Sequence, residues 1–264
     1  MSDAPQDPAA SPVAPANGLQ RWFTTVAGTA VAAAEAALAA EVLSDLFGYH
    51  LLQLGRPYEA SLLAGSRIGH HITLGTNPAE PGMSAYARGD ALPLQAATVD
   101  VLVLPHGLEF ADDPHGVLRE AERVLIPEGY LLVFAFNPWS LFGLWRLFCG
   151  WRGDYPWRGR FVRPDRLKDW LAVLGFEVVK ASGLSFRPPL RDAGWYARLG
   201  WMERPAAYFL PWLGNVYWIL ARKRVPAARP IRALRARRRR LRAAVAESPL
   251  GQRRSGKEEP DDGR

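Results

Sequence analysis

His106 and Glu109 share the short segment Pro105-His106-Gly107-Leu108-Glu109. Histidine exchanges protons near neutrality, so His106 is a candidate catalytic general base or positioning group; the other reading is a hydrogen-bonded histidine that closes a pocket. Glu109 reads as solvated or structural. Asp112 and Asp113 precede Pro114, where Asp113 is placed to N-cap a helix. His70 and His71 are neighbours on a predicted strand, so their side chains leave opposite faces and cannot share a metal ion. The chain has no H-E-x-x-H, C-x-x-C or G-x-S-x-G, which disfavours a metalloprotease, a zinc module and a serine hydrolase. No metal site is assigned.

These side chains need a scaffold, and periodicity predicts one. Residues 99–104 (VDVLVL) are nearly all apolar, as in a strand covered on both faces of a parallel sheet. In residues 114–125, Val117, Ala121 and Val124 recur at steps of four and three, the spacing of one helical face. Pro127-Glu128-Gly129 reads as a turn, and residues 130–136 (YLLVFAF) as the next strand. A strand–helix–strand unit implies a right-handed crossover and a doubly wound α/β domain. Upstream, residues 22–47 read as an amphipathic helix, 50–54 and 70–74 as strands, and 83–91 as a weak strand or extended loop. Downstream, 164–174 reads as a helix with Leu167, Trp170, Leu171 and Leu174 on one face and Gly175 at its end. Residues 176–181 and 216–221 read as the last strands, with 187–213 a helical insertion carrying Trp195, Trp201 and Trp212. Between them, residues 137–161 hold Trp139, Trp145, Trp151 and Trp157. These suit a lid over an apolar or aromatic substrate, core under an irregular loop, or a membrane surface.

A chain of 264 residues, 48% hydrophobic, can bury the core of one large α/β domain. The single cysteine, Cys149, excludes an internal disulfide and fits a reducing, cytoplasmic setting. Residues 1–18, rich in Pro and Ala without a basic start, read as a disordered lead rather than a secretory signal. Glu35 and Glu41 interrupt the Ala-rich run 26–43, so no transmembrane segment is predicted. Charge is divided unevenly. From Arg222 onward there are 15 Lys and Arg against 5 Asp and Glu, while residues 1–221 hold 18 against 21. The body is therefore mildly acidic, and residues 226–264 form a basic, Arg-rich tail. Arg235, Arg237, Arg238, Arg239 and Arg240 surround Ile231, Leu234, Leu241 and Val245 there, a pattern suited to nucleic acid or an anionic membrane surface, or to a solvated extension.

The ordered set Gly89-Asp90-Ala91, Leu92-Pro93, Val99-Asp100, Asp113-Pro114, Leu118-Arg119-Glu120, Arg123-Val124-Leu125, Pro127 and Gly129 resembles the second half of a class I S-adenosylmethionine (SAM) dependent methyltransferase domain, of the methyltransferase type 11-like kind. With LPHGLEF, DPH and FNPWSLFGLWR, the chain is similar to a bacterial subgroup of that family over residues 21–225. The resemblance implies a Rossmann-like, doubly wound, mostly parallel seven-stranded α/β sheet with an antiparallel edge strand, in a domain spanning residues 19–225. It also implies SAM above the carboxyl ends of the first strands.

Gly55 matches the first glycine of the family's glycine-rich loop, but the remaining glycines are absent. Gln53 stands where an acid is usual, Arg56 is bulky, and Pro57 lacks an N–H. After the second strand the family places an acid on the ribose hydroxyls; here Thr76 or Asn77 offers a single neutral bond. Asp90 is implied to accept from the adenine amino group and the Ala91 N–H to reach a ring nitrogen, although Asp90 could equally cap a turn. The loop 105–109 is implied to lie where methyl donor meets acceptor, with Leu104, at the end of the strand before it, and His106 implied to contact the cofactor. The leading expectation is methyl transfer from SAM to an unidentified acceptor, small or apolar and aromatic. Against it stand a pseudoenzyme that keeps the fold as a binding or regulatory module, and an RNA- or membrane-associated protein led by its tail.

Overall fold

The structure is a computed structural model that describes residues 15–76, 83–149, 156–190 and 192–224. Asn77, Trp151, residues 1–14 and the basic tail 226–264 lie outside the described residues. The strands are β1 (His50–Leu54), β2 (His70–Gly75), β3 (Ala85–Tyr86), β4 (Val99–Pro105), β5 (Leu125–Phe136), β6 (Phe176–Leu184) and β7 (Val216–Lys223). They form one sheet in the order β3-β2-β1-β4-β5-β7-β6. Pairing is parallel from β3 through β5, and β7 runs antiparallel between β5 and β6. This is the doubly wound, mostly parallel architecture with antiparallel pairing at its edge that the sequence predicts.

The apolar runs of β4 and β5 divide by parity. Leu51, Val101, Val103, Leu132 and Phe134 face one core layer. Leu52, Leu102, Leu104, Leu131 and Val133 face the other. Helices α1 (Pro15–Phe23) and α2 (Val26–Ser44) cover the first layer; α3 (Pro114–Val124) and α5 (Pro164–Val173) cover the second. Pro starts both α3 and α5 at a position whose N–H has no helical partner. The predicted face of α5 is half realised, with Leu167 and Leu171 buried and Trp170 and Leu174 half-buried. Each fully buried aliphatic or aromatic side chain contributes about 1.5–3 kcal/mol.

Three local expectations change. The predicted helix 22–47 is two helices, because the Thr25 hydroxyl caps α2 by accepting from Gly28 N at 3.2 Å. A Cβ on Gly28 would lie 2.2 Å from Trp22 O, so only glycine allows α1 and α2 to meet there. Helix α1 also begins at Pro15, inside the segment read as a disordered lead. Finally, Pro127-Glu128-Gly129 lies within the span of β5, where register shifts and Glu128 takes φ 64°.

Helix α2 has the length and apolarity of a membrane span. It packs on the sheet, with Ala27, Val31, Glu35, Ala39 and Leu43 buried along one stripe. Glu35, which the sequence reading treated only as an interruption, is thus on the inward face.

Candidate functional site

Strand order reverses between β1 and β4, so the chain leaves those two strands in opposite directions and opens a crevice at their carboxyl ends. A cavity of about 340 Å³ occupies it, lined by Gly55, Arg56, Thr76, Asp90, Leu104 and His106 among others. That volume falls at the lower end of small-molecule sites. Gln20 of α1 and Arg88 also line it, and neither is signalled by the motif pattern.

The β1 end explains its unusual residues. Gly55 has φ 83°, a conformation costly for any residue with a Cβ, and its N–H donates to Leu74 O at 2.7 Å. Nothing lies within 4 Å of the position a Cβ would take, so the backbone there is open to close approach. Gln53 is buried and donates from Nε2 to Gly55 O at 2.9 Å. It does not line the cavity, which corrects its assignment as a cofactor contact: it braces the loop instead. Arg56 is drawn back along the chain, donating from Nη2 to Glu59 O at 2.9 Å while its carbonyl accepts from Gln20 Nε2 at 3.3 Å. Thr76, exposed after β2, stands where the ribose contact is expected.

Asp90 sits on the cavity wall, and both its oxygens accept from Arg88, Oδ1 from Nε at 2.9 Å and Oδ2 from Nη2 at 2.7 Å. Those hydrogen bonds hold its carboxyl below the ordinary carboxylate range. The Arg88 side chain is 80% exposed, so this pair is readily reorganised. Ala91 is a correction: its N–H already donates to Arg88 O at 3.1 Å and it does not line the cavity. The matched motif downstream has a structural purpose. Glu120 accepts from Leu92 N at 2.9 Å, and Arg123 donates to Leu94 O at 2.9 Å and Leu92 O at 3.1 Å. Two α3 side chains thereby fix the loop that presents Asp90.

His106 closes the cavity floor with its imidazole turned inward. Its backbone has φ 52°, a strained value for a residue with a Cβ. Nε2 lies 2.9 Å from Glu35 Oε1 and Nδ1 lies 3.1 Å from Glu109 Oε1, all three side chains fully buried. Phe136 packs on the ring at 4.1 Å. Burial alone would lower the imidazole pKa, but the two flanking carboxylates overcome it and push it up to about 10. With both ring nitrogens engaged by buried carboxylates, the imidazole is not turned toward a substrate, and the geometry does not favour the general-base reading of His106. The hydrogen-bonded, pocket-closing alternative fits. Glu109 is structural and not solvated, its Oε1 also accepting from Phe136 N at 2.7 Å. Tyr58 OH donates to Glu35 Oε2 at 2.5 Å, and burial, then the Glu35 charge, raises its pKa well above the ordinary value. Asp113 occupies the predicted N-cap position, but its Oδ2 accepts from Arg119 and makes no side-chain cap.

A second hollow opens beyond β5. After α6 (Ala193–Arg198), a 3-10 turn (Leu199–Met202), α7 (Glu203–Phe209) and a 3-10 turn (Pro211–Leu213) line the side opposite helix α4 (Leu141–Cys149). The groove between them measures about 670 Å³ and is lined by Trp139, Leu144, Leu147, Phe161, Met202 and Leu210 among others. Asn137 pins the two sides together, donating from Nδ2 to Trp212 O at 2.7 Å and Gly214 O at 2.9 Å. Trp157 is core, whereas Trp139 and Trp145 are exposed.

A sheet of this order, with its crevice at the carboxyl ends of the strands, defines a doubly wound α/β domain, the class of fold that holds ligands at such a crevice. The chain belongs to the class I SAM-dependent methyltransferase family. Residues 75–133 match the family described as Methyltransferase domain. The uncharacterised protein YafS of Escherichia coli strain K12 is 34% identical over 183 residues, covering 69% of this chain and 71% of that one. In fold, the chain is similar to a SAM-dependent methyltransferase from Thermotoga maritima, with TM-score 0.59, 19% identity, and 79% and 96% of the two chains covered. It is also similar to a structure from Haloferax volcanii of a methyltransferase with the Trm112 activator, with TM-score 0.53, 15% identity, and 79% and 97% covered.

Proposed function

We propose that the chain is a SAM-dependent methyltransferase whose acceptor is small or apolar. The observation that carries this is the cavity at the β1/β4 reversal, with Asp90 on its wall and the open Gly55 backbone at its edge. When bound, SAM would supply an electrophilic methyl group. Asp90 would accept from an exocyclic amino group, Thr76 would meet the ribose, and the Gly55 backbone would allow close approach of the amino-acid end. His106 acts by position: held as a cation in the floor, it shapes the site and moves no proton. That is compatible with methyl transfer, an in-line displacement in which alignment outweighs acid–base chemistry. The apolar groove along α4, on the same rim, supports an apolar acceptor.

Calorimetric titration with SAM and S-adenosylhomocysteine tests the reading. Saturable binding of either supports it. No heat from either ligand at millimolar concentration would overturn it and leave a binding module that has kept the fold, a reading favoured by Gln53 and the missing acid after β2. Asp90→Ala should weaken binding by about tenfold, the scale of a hydrogen bond to a charged group.

A further inference from the structure

We propose that the surface formed by α4 and residues 193–213 docks on an anionic lipid bilayer. This goes beyond the methyltransferase reading and does not depend on it.

Helix α4 has the sequence LFGLWRLFC, in which Arg146 is the only charged residue. Phe142 faces the core at 0% exposure, while Leu141, Leu144, Trp145 and Leu147 point outward and are exposed. A surface helix normally has a polar side for water. This one has none. The same holds across the groove, where Trp195, Trp201, Tyr208, Phe209 and Trp212 are exposed. Among the described residues, 11 of the 16 exposed large hydrophobics fall within residues 139–149 and 193–213, all five exposed tryptophans included. Scattered apolar residues are ordinary on a protein surface, but such concentration marks an interaction site.

The patch is held in shape. Besides the Asn137 bonds, Asn215 Oδ1 accepts from Phe142 N at 3.2 Å and its Nδ2 donates to Arg187 O at 2.6 Å. Glu203 Oε1 pairs with Arg187 Nε at 2.9 Å, and its Oε2 accepts from Phe186 N at 3.1 Å. These contacts tie α4, β7 and the α7 region into one platform.

Charge selects the occupant. Residues 138–163 and 187–213 together contain nine Arg, no Lys and only three Asp or Glu, whereas residues 1–221 as a whole carry an excess of three acids. Cations and tryptophans are therefore concentrated in one set of segments of an otherwise acidic body. A second copy of this chain would bring like charge against like charge, which opposes self-association through the patch. Exposed leucines offer neither a stacking face nor a charge to nucleic acid. Arginine, tryptophan and leucine on short helices lying along a surface match the interface of an anionic bilayer.

The test uses the full chain and large vesicles of phosphatidylcholine, alone or mixed equally with phosphatidylglycerol. Co-sedimentation is expected with the mixed vesicles, to fall as salt rises, and to be weak with the neutral ones. No retention on mixed vesicles, or equal retention on both, would overturn the proposal. Brominated lipid should quench tryptophan emission, and because residues 222–264 contain no tryptophan, quenching reports the body and not the basic tail. Unquenched emission from retained protein would overturn the patch as the docking face. The triple variant Leu144→Ser, Trp145→Ser, Leu147→Ser should reduce retention about tenfold with an unchanged far-ultraviolet dichroism spectrum. Unchanged retention would sink the idea. So would a patch-dependent dimer in sedimentation velocity, or patch-dependent binding to a single-stranded RNA oligonucleotide that outcompetes vesicles.

Discussion

The carboxyl rim of the sheet carries two hollows of opposite character. The one between β1 and β4 is polar at its walls and rests on buried charge: Glu35, His106 and Glu109 lie beneath it with no access to water. The one beyond β5 is apolar, rests on neutral amide clamps, and turns its largest side chains outward. Buried charges demand partners from distant parts of the chain, so the first hollow is costly to disturb. Exposed aromatics need no buried partner, so substitutions on the second cost the fold little.

The largest expected effect is on the buried side. His106→Ala leaves two carboxylates without their shared cation and should cost about 3–5 kcal/mol, read from denaturant unfolding. A result within experimental error of wild type would remove the distinction between the hollows. The pH dependence is next. Unfolded, the imidazole titrates near its ordinary value of about 6.5; folded, it titrates at about 10. Its contribution is therefore complete below the first value and drains away as pH rises toward the second. Thermal unfolding scanned from pH 6 to pH 10 should show a declining midpoint that is flattened in His106→Gln. The Asp90→Ala variant sharpens the contrast, since ligand affinity should drop while stability does not. Smallest is the effect of the Leu144, Trp145 and Leu147 serine variant on stability itself. Exposed side chains contribute little to folding, so unfolding should shift by no more than about 0.5 kcal/mol per site.

Much of this contrast was legible in the sequence, and the remainder was hidden for physical reasons. Apolar runs and helical spacing gave β4, α3 and β5, because burial on both faces leaves a periodic trace. The loop at Asp90 was readable through the resemblance of its motif, which includes the Glu120 and Arg123 that hold it. Glu35 was not, since it meets His106 from 71 positions away in the chain. Its one signal was spacing: Glu35 falls four residues after Val31 and four before Ala39, on the stripe that is buried. A charge on an apolar stripe asks for a buried partner. His106 was singled out, but its two readings, a base or a histidine that closes the pocket, could not be separated, because sequence does not report which way a side chain turns. Trp139 and Trp157 illustrate the same limit, being alike in composition and opposite in burial.

The brace from Gln53 to Gly55 bears on how this chain can change. A carboxylate cannot donate a hydrogen bond, so Gln53→Glu would set a buried negative charge against the Gly55 carbonyl. The amide at position 53 and the loop conformation at Gly55 are therefore one unit, and a change in either asks for a change in the other.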